Sequence, residues 1–175
     1  DMVVPPNIKV TVADQVYIDR TGLPSAMIAQ LVRVAAFQNP EFYRAQAMRL
    51  PTFGKPRVVS CAELHPRHIA LPRGCFDEAV EVLTEHGAKA ELEDQRSDGT
   101  PLPNTVRFLG ELRPPQQRAF ESLTAHDTGV LAATTAFGKT VVASALIGHR
   151  GRNTLVLVHR RELLDQWVER LKTFL

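Results

Sequence analysis

Apolar and polar positions alternate from Ile8 to Asp19, with Ile8, Val10 and Val12 on one side and Val16 and Ile18 following a polar Ala-Asp-Gln break. A period of two predicts a hairpin of two strands. A turn follows at Thr21–Ser25, where Ser25 or Thr21 can cap a helix. From Met27 to Phe37 the period changes: Ile28, Leu31, Val32, Ala35 and Ala36 recur at helical spacing. Asn39-Pro40 interrupts that helix and starts another, Glu41–Leu50, with Pro40 in its first turn. Short strands are expected at Arg57–Leu64 and His68–Leu71. A helix is expected over Phe76–His86, its first turn holding Asp77 and Glu78 where they suit the dipole and Gly87 closing its end. Ala88–Gln95 reads as a strand. Residues Asp1–Asn7 read as a frayed end.

The polar stretch Arg96–Thr105, with Gly99, Pro101 and Pro103, is the expected domain boundary. We therefore divide the chain into 1–104 and 105–175. Beyond the boundary Val106–Leu112 reads as extended and Pro114–Leu123 as helical. Then strand-like apolar runs alternate with helices: Gly129–Ala133, helix Gly138–His149, Thr154–Val158, helix Arg160–Leu175. That alternation predicts a parallel sheet with crossover helices, whose ligands bind beyond the C-terminal ends of the strands. The expected fold class is α/β: a small α+β accessory domain followed by a P-loop sheet.

Composition is that of an ordinary globular protein, 44% apolar and 23% charged over 175 residues. No apolar run is long enough for a membrane span, and the start does not read as a signal peptide; we expect a cytoplasmic protein without a membrane partner. The net charge of +2 conceals a strong partition. Arg33–Arg73 carries seven basic residues against two acids, whereas Asp77–Asp98 carries eight acids against two bases. Phe37, Phe42, Tyr43 and Phe53 interleave with Arg44, Arg49, Lys55 and Arg57 in the basic stretch. That combination suits a nucleic-acid surface; a solvated face with its aromatics in the core is the competing reading.

The chemistry of the chain concentrates in Val130–Val142, VLAATTAFGKTVV. A phosphate-binding loop needs inward-facing backbone N–H groups, a lysine for the outer phosphates and a hydroxyl for Mg²⁺. Thr134, Thr135, Ala136, Phe137 and Gly138 would supply the amides, Lys139 the cation and Thr140 the metal ligand. The N-terminus of the following helix adds a favourable dipole. Ala133 stands where the G-x-x-x-x-G-K-[ST] pattern has its first glycine.

Three blocks occur in order: Leu112-Arg113-Pro114-Pro115-Gln116, Ala133–Thr140, and Leu155–Trp167 (LVLVHRRELLDQW). Together they resemble the first RecA-like lobe of superfamily-2 helicases, in the group that holds the helicase subunits of type III restriction enzymes and related repair helicases. The resemblance covers Leu112–Leu175. It implies ATP and Mg as cofactors and nucleic acid, DNA in particular, as partner. It implies that Gln116 reads the adenine edge, with Gln117 as a rival, and that Arg113 packs on the base, since Pro115 replaces the usual aromatic. It also implies that Arg160 and Arg161 touch the backbone of a tracked strand. Ala133 is expected in that family's loop; Ala136 departs from it, standing where glycine is usual.

The acidic motif that activates water in that family, and its second lobe, are not in the chain, and Asp77-Glu78 cannot replace the motif because it precedes the loop. We accordingly expect the N-terminal fragment of an ATP-hydrolysing helicase or translocase, inactive by itself. Residues 1–104 more loosely resemble the accessory domains that grip DNA in such enzymes. A non-enzymatic nucleic-acid-binding module is the alternative. A small-molecule kinase lacks support from the flanking blocks. Cys61, His65, His68 and Cys75 are residue types that zinc accepts, but C-x3-H-x2-H-x6-C is not a usual finger spacing. Two buried thiols and two surface histidines are the favoured reading there.

Overall fold

The computed structural model describes residues 4–175. The chain divides into two compact units, Asp1–Ser97 and Asp98–Leu175. The end read as frayed lies partly outside the described residues, at positions 1–3, and Asn7 already opens the first strand.

The first unit is a sheet covered on one face by two helices. Strands β1 (Asn7–Val12) and β2 (Val16–Asp19) form the expected hairpin, with Val10 opposite Ile18 and Val12 opposite Val16. Two later strands extend it on the β2 side, β5 (Glu63–Leu64) and β6 (His68–Leu71), both antiparallel. On the other side β7 (Lys89–Asp94) runs parallel to β1, giving the order β5-β6-β2-β1-β7. The sheet is thus mixed and mostly antiparallel. Alternation sends Ile8, Val10, Val16, Ile18, Ile69 and Leu71 to one face, where all are buried. Helices α1 (Ser25–Val34) and α3 (Phe76–Glu85) cover that face with Met27, Leu31, Ala79 and Leu83. The opposite face is polar: Lys9 meets Glu93 at 2.6 Å, and the rings of Tyr17 and His68 meet edge to face.

Helix α1 ends at Val34, three residues short of the expected end at Phe37, and Pro24 rather than Ser25 or Thr21 occupies its cap position. The chain instead leaves the core at Ala36 as an arm. It comprises strand β3 (Ala36–Gln38), helix α2 (Pro40–Ala47), a loop, and strand β4 (Val58–Ser60), which pairs antiparallel with β3. A buried asparagine closes the arm. Asn39 Oδ1 accepts from Glu41 N at 3.0 Å as the cap of α2, and Asn39 Nδ2 donates to Pro56 O at 2.8 Å. The Asn39 amide donates to Arg57 O at 2.9 Å. Helix α3 ends as its sequence implies, with Gly87 at φ 76° and Ala88 N returning to Leu83 O.

The second unit is helical. It contains α4 (Pro114–Thr124), α5 (Lys139–Arg150) and α6 (Arg161–Phe174), close to their expected spans. The expected parallel sheet is not formed: among the described residues of this unit there is no paired strand beyond an isolated Pro101–Arg152 bridge. Val106–Leu112, Gly129–Ala133 and Thr154–Val158 are all without regular structure. The physical reason is the lack of neighbours. Buried parallel strands require hydrogen-bonded partners and helices on both faces, and here Val130, Leu155 and Leu157 are 93%, 82% and 83% exposed. The core is correspondingly thin, with Gln116, Val142, Ser144 and Ala145 the buried residues.

Replacing Asn39 with alanine removes the α2 cap and the tie to Pro56 together. A loss of about 1–2 kcal/mol is expected, confined to the arm. Hydrogen exchange should accelerate across 36–60 while the amides of β1, β2 and β6 keep their protection. Equal acceleration throughout the sheet would contradict a locally closed arm.

Candidate nucleotide and nucleic-acid sites

The loop before α5 is built from backbone that only a few residues tolerate. Phe137 N donates to Thr134 O at 3.3 Å, closing a turn, and Ala136 within it has φ 65°. Gly138 follows at φ 91°, in cap position for α5. Its carbonyl accepts from Val141 N at 3.0 Å and Val142 N at 3.2 Å. Helix geometry leaves the preceding amides, of Lys139 and Thr140, without intrahelical partners and pointing out of the N-terminus. The Lys139 ammonium bends back over the loop, donating to Ala133 O at 2.8 Å and Thr134 O at 2.9 Å. A cation, free amides and the positive end of a 12-residue helix converge there, which is the chemistry an anion requires.

One carbonyl joins this loop to α4. Phe137 O accepts from Gln116 Nε2 at 2.8 Å and from Arg113 Nη2 at 2.6 Å. Gln116 Oε1 in turn accepts from Arg113 N at 2.9 Å, which caps α4 from inside; Arg113 has no acceptor with which to return the bond. Gln116 is 3% exposed and packs so closely on Gly138 that any side chain at 138 would collide with its amide. Glycine is therefore favoured at 138 by its φ, and a side chain there would have to displace the Gln116 amide from Phe137 O. Of the two glutamines, Gln116 lies against the loop, whereas Gln117 is exposed and donates to Glu121 at 2.8 Å. Thr134, Thr135 and Ala136 are exposed, while Phe137 and Thr140 are half-buried. Thr140 O accepts from the buried Ser144 hydroxyl at 2.9 Å, which ties the first turn of α5 to its second.

Arg160 caps α6 with extended backbone and Arg161 opens it; both are exposed. The other four candidate cations lie on the arm of the first unit. Arg44 is on α2, Arg49 just beyond it, Lys55 in the loop, and Arg57 immediately before β4. The Arg57 guanidinium lies 5.4 Å from the centre of the Phe42 ring. Phe42 is buried, but Phe37, Tyr43 and Phe53 are exposed, so three of the four interleaved aromatics are outside the core. The thiols also differ from expectation: Cys61, in the link between β4 and β5, is exposed, and Cys75 is half-buried. His65 and His68, both half-buried, stack at 4.5 Å, and among the described residues no three His, Cys, Asp or Glu side chains are grouped to hold a metal ion. No helix among the described residues is long and apolar enough to cross a membrane.

Two features that shape these sites were not read from the sequence, the Asn39 side-chain cap of α2 and the Phe137 carbonyl as an acceptor. Asn39 had a visible signal, an asparagine before Pro at a helix start. The Phe137 carbonyl had none, since a backbone acceptor becomes special only through the tertiary approach of α4.

Comparison with known proteins bears on the second unit. Residues 109–175 match the family of the type III restriction enzyme, res subunit. That family is helicase-related, and the match covers less than half of the chain. The matched segment contains α4, the loop, α5 and α6, hence every residue of the loop and its clamp. No curated protein matches the chain.

Ala136→Gly should relieve the left-handed backbone and stabilise the second unit by roughly 0.5–1 kcal/mol. Gln116→Ala should lower its stability by about 1–3 kcal/mol, because it strips partners from a part-buried N–H and from Phe137 O. Thermal unfolding of the two variants checks both signs. A destabilised Ala136→Gly protein would mean that the alanine side chain, not its backbone, matters.

Proposed function

We propose that the chain is the front part of an ATP-driven nucleic-acid helicase or translocase, with residues 105–175 contributing the nucleotide-binding part of a RecA-like lobe and residues 1–104 an accessory domain. The carrying observation is the convergence on one helix N-terminus of Lys139, the free amides of α5 and a loop clamped through Phe137 O. The family match to the same residues supports it.

On this reading Lys139 exchanges two loop carbonyls for the outer phosphate oxygens of ATP. The exchange favours the ligand, since hydrogen bonds to a charged acceptor are roughly twice as strong as those to a neutral one. Thr140 would hold Mg²⁺ through its hydroxyl. Bound Mg²⁺ would neutralise charge between the phosphates. Gln116 positions the loop, and its second N–H and second lone pair serve the adenine edge; Arg113 lies beside it over the same carbonyl. Arg160 and Arg161 are placed to meet phosphates of a nucleic-acid strand, as are Arg44, Arg49, Lys55 and Arg57. Hydrolysis would also draw on acidic groups and a second lobe; what the residues around the loop supply is nucleotide binding.

The unpaired apolar runs at 129–133 and 154–158 fit the same reading, because both have the composition of buried sheet strands. The placement of four cations on one arm also favours the simpler activity, nucleic-acid binding without catalysis, as a property of the first unit.

Calorimetric titration with ATP·Mg²⁺ tests the loop. Binding should be weak and should fall at least about tenfold in Lys139→Ala, the worth of one charged hydrogen bond. Unchanged binding in that variant would remove Lys139 from the site, and no binding to the unaltered chain would reject a working cradle.

A further inference from the structure

The arm of the first unit carries more than positive charge. Its 25 residues, 36–60, hold four basic side chains and one acid, whereas the other 72 residues of the unit hold seven basic and eleven acidic ones. The same 25 residues carry six of the fourteen exposed large apolar side chains found among the described residues. Phe53 is 99% exposed, more than any other of these. It stands at the tip of a tight turn in which Lys55 N donates to Thr52 O at 3.1 Å and Gly54 has φ 74°. A phenyl ring held into water by a closed turn is a feature without value to the fold, since it buries nothing.

A second aromatic lies beside a cation. Buried Phe42 meets the ring of Tyr43 edge to face at 5.3 Å and carries the Arg57 guanidinium at 5.4 Å. Exposed Tyr43 and exposed Arg57 therefore flank one buried ring, and the guanidinium plane is pre-oriented by it. The tie from Asn39 to Pro56 and Arg57 fixes this group at the base of α2.

Arg49 adds an independent sign. Helix α2 ends with Leu50 N returning to Ala45 O and Arg49 N to Gln46 O, the arrangement in which glycine is preferred at the left-handed position. Arg49 takes that position at φ 54°; it and Ala136 are the non-glycine residues with positive φ among the described residues. An exposed arginine kept where glycine fits better implies use of its charge.

We propose that the arm is a base-stacking site for single-stranded nucleic acid, in which Phe53 and Tyr43 stack on unpaired bases while Arg44, Arg49, Lys55 and Arg57 meet the phosphates. This deepens the nucleic-acid reading above and rests on it. Cations alone serve duplex and single strand alike. Exposed rings discriminate, because only unpaired bases offer a free face. A lipid surface would need the apolar groups in one plane. Phe37 and Val58 violate this: Phe37 pairs with Val59, so Val58 points to the opposite face of the ribbon.

The test compares binding of the whole chain to a short labelled single strand, to the duplex of the same length, and to anionic phospholipid vesicles. The single strand should bind more tightly than the duplex, and both should weaken with salt. Phe53→Ser, a change at a fully solvated position, should weaken single-strand binding at least about fivefold and leave duplex binding nearly unchanged. Arg49→Gly should weaken both nucleic acids about two- to threefold, the loss of one phosphate contact, while raising the melting temperature, a combination that a structural role for Arg49 would not produce. If Phe53→Ser leaves single-strand affinity intact while salt still weakens it, stacking is overturned and phosphate contact by the arm survives. If neither nucleic acid binds, the underlying reading fails with it. Capture by vesicles in preference to nucleic acid, lost in Phe53→Ser, overturns the proposal in favour of a membrane surface.

Discussion

Extended backbone must place its N–H and C=O groups on a neighbour, and this demand separates the two units. In the first, β1 satisfies it on both sides, antiparallel to β2 and parallel to β7, and the alternation of its residues then fixes which side chains reach α1 and α3. The buried face and the polar face both follow from that register, since a shift of one residue would turn Ile8 and Val10 to water. In the second unit Gly129–Ala133 and Thr154–Val158 have the side chains of strands and no partner strand. Val130, Leu155 and Leu157 stay in solvent, and order resides in three helices and one clamped loop.

That loop shows how a site is held where the surrounding core is thin. Phe137 O takes two donors from α4, and Gln116 spends its amide on both the loop and the helix cap. A carbonyl has two lone pairs, so two good donors exhaust it and fix the peptide plane between Phe137 and Gly138. The left-handed Ala136 is then sustained by its surroundings, as strained residues at binding sites generally are. Arg49 follows the same logic in the first unit, held by the two terminal bonds of α2 rather than by its own preference.

Much of the architecture was legible because period and punctuation agree with burial. The alternation at 8–19, the helical spacing of 76–86 and the Gly87 stop became β1, β2 and α3 nearly as written. The arm was not legible as an arm. Ala35, Ala36 and Phe37 continue the spacing of α1, and strands of three residues are too short to show a period. The apolar runs at 129–133 and 154–158 misled for a different reason: composition encodes a strand's wish for burial, not the presence of a neighbour. At the loop, the Gly138-Lys139-Thr140 sequence marked the turn into a helix, and that helix formed as expected. The choice between Gln116 and Gln117 was not accessible to spacing, since both lie in the first turn of α4; it depends on which face of that helix meets Phe137.

Charge gives the arm its direction. The rest of the first unit is acidic in excess, and a polyanion approaching it is repelled except where the arm projects its four cations. Such a field raises the rate of productive encounter more than it raises affinity, and it weakens with salt. In the proposed stacking site the exposed rings would act after encounter, at contact distance, where stacking is insensitive to salt and sensitive to whether bases are paired. The proposal thus assigns steering and discrimination to different side chains of one short segment, which is why Arg49 and Phe53, four residues apart, are expected to affect binding in different ways.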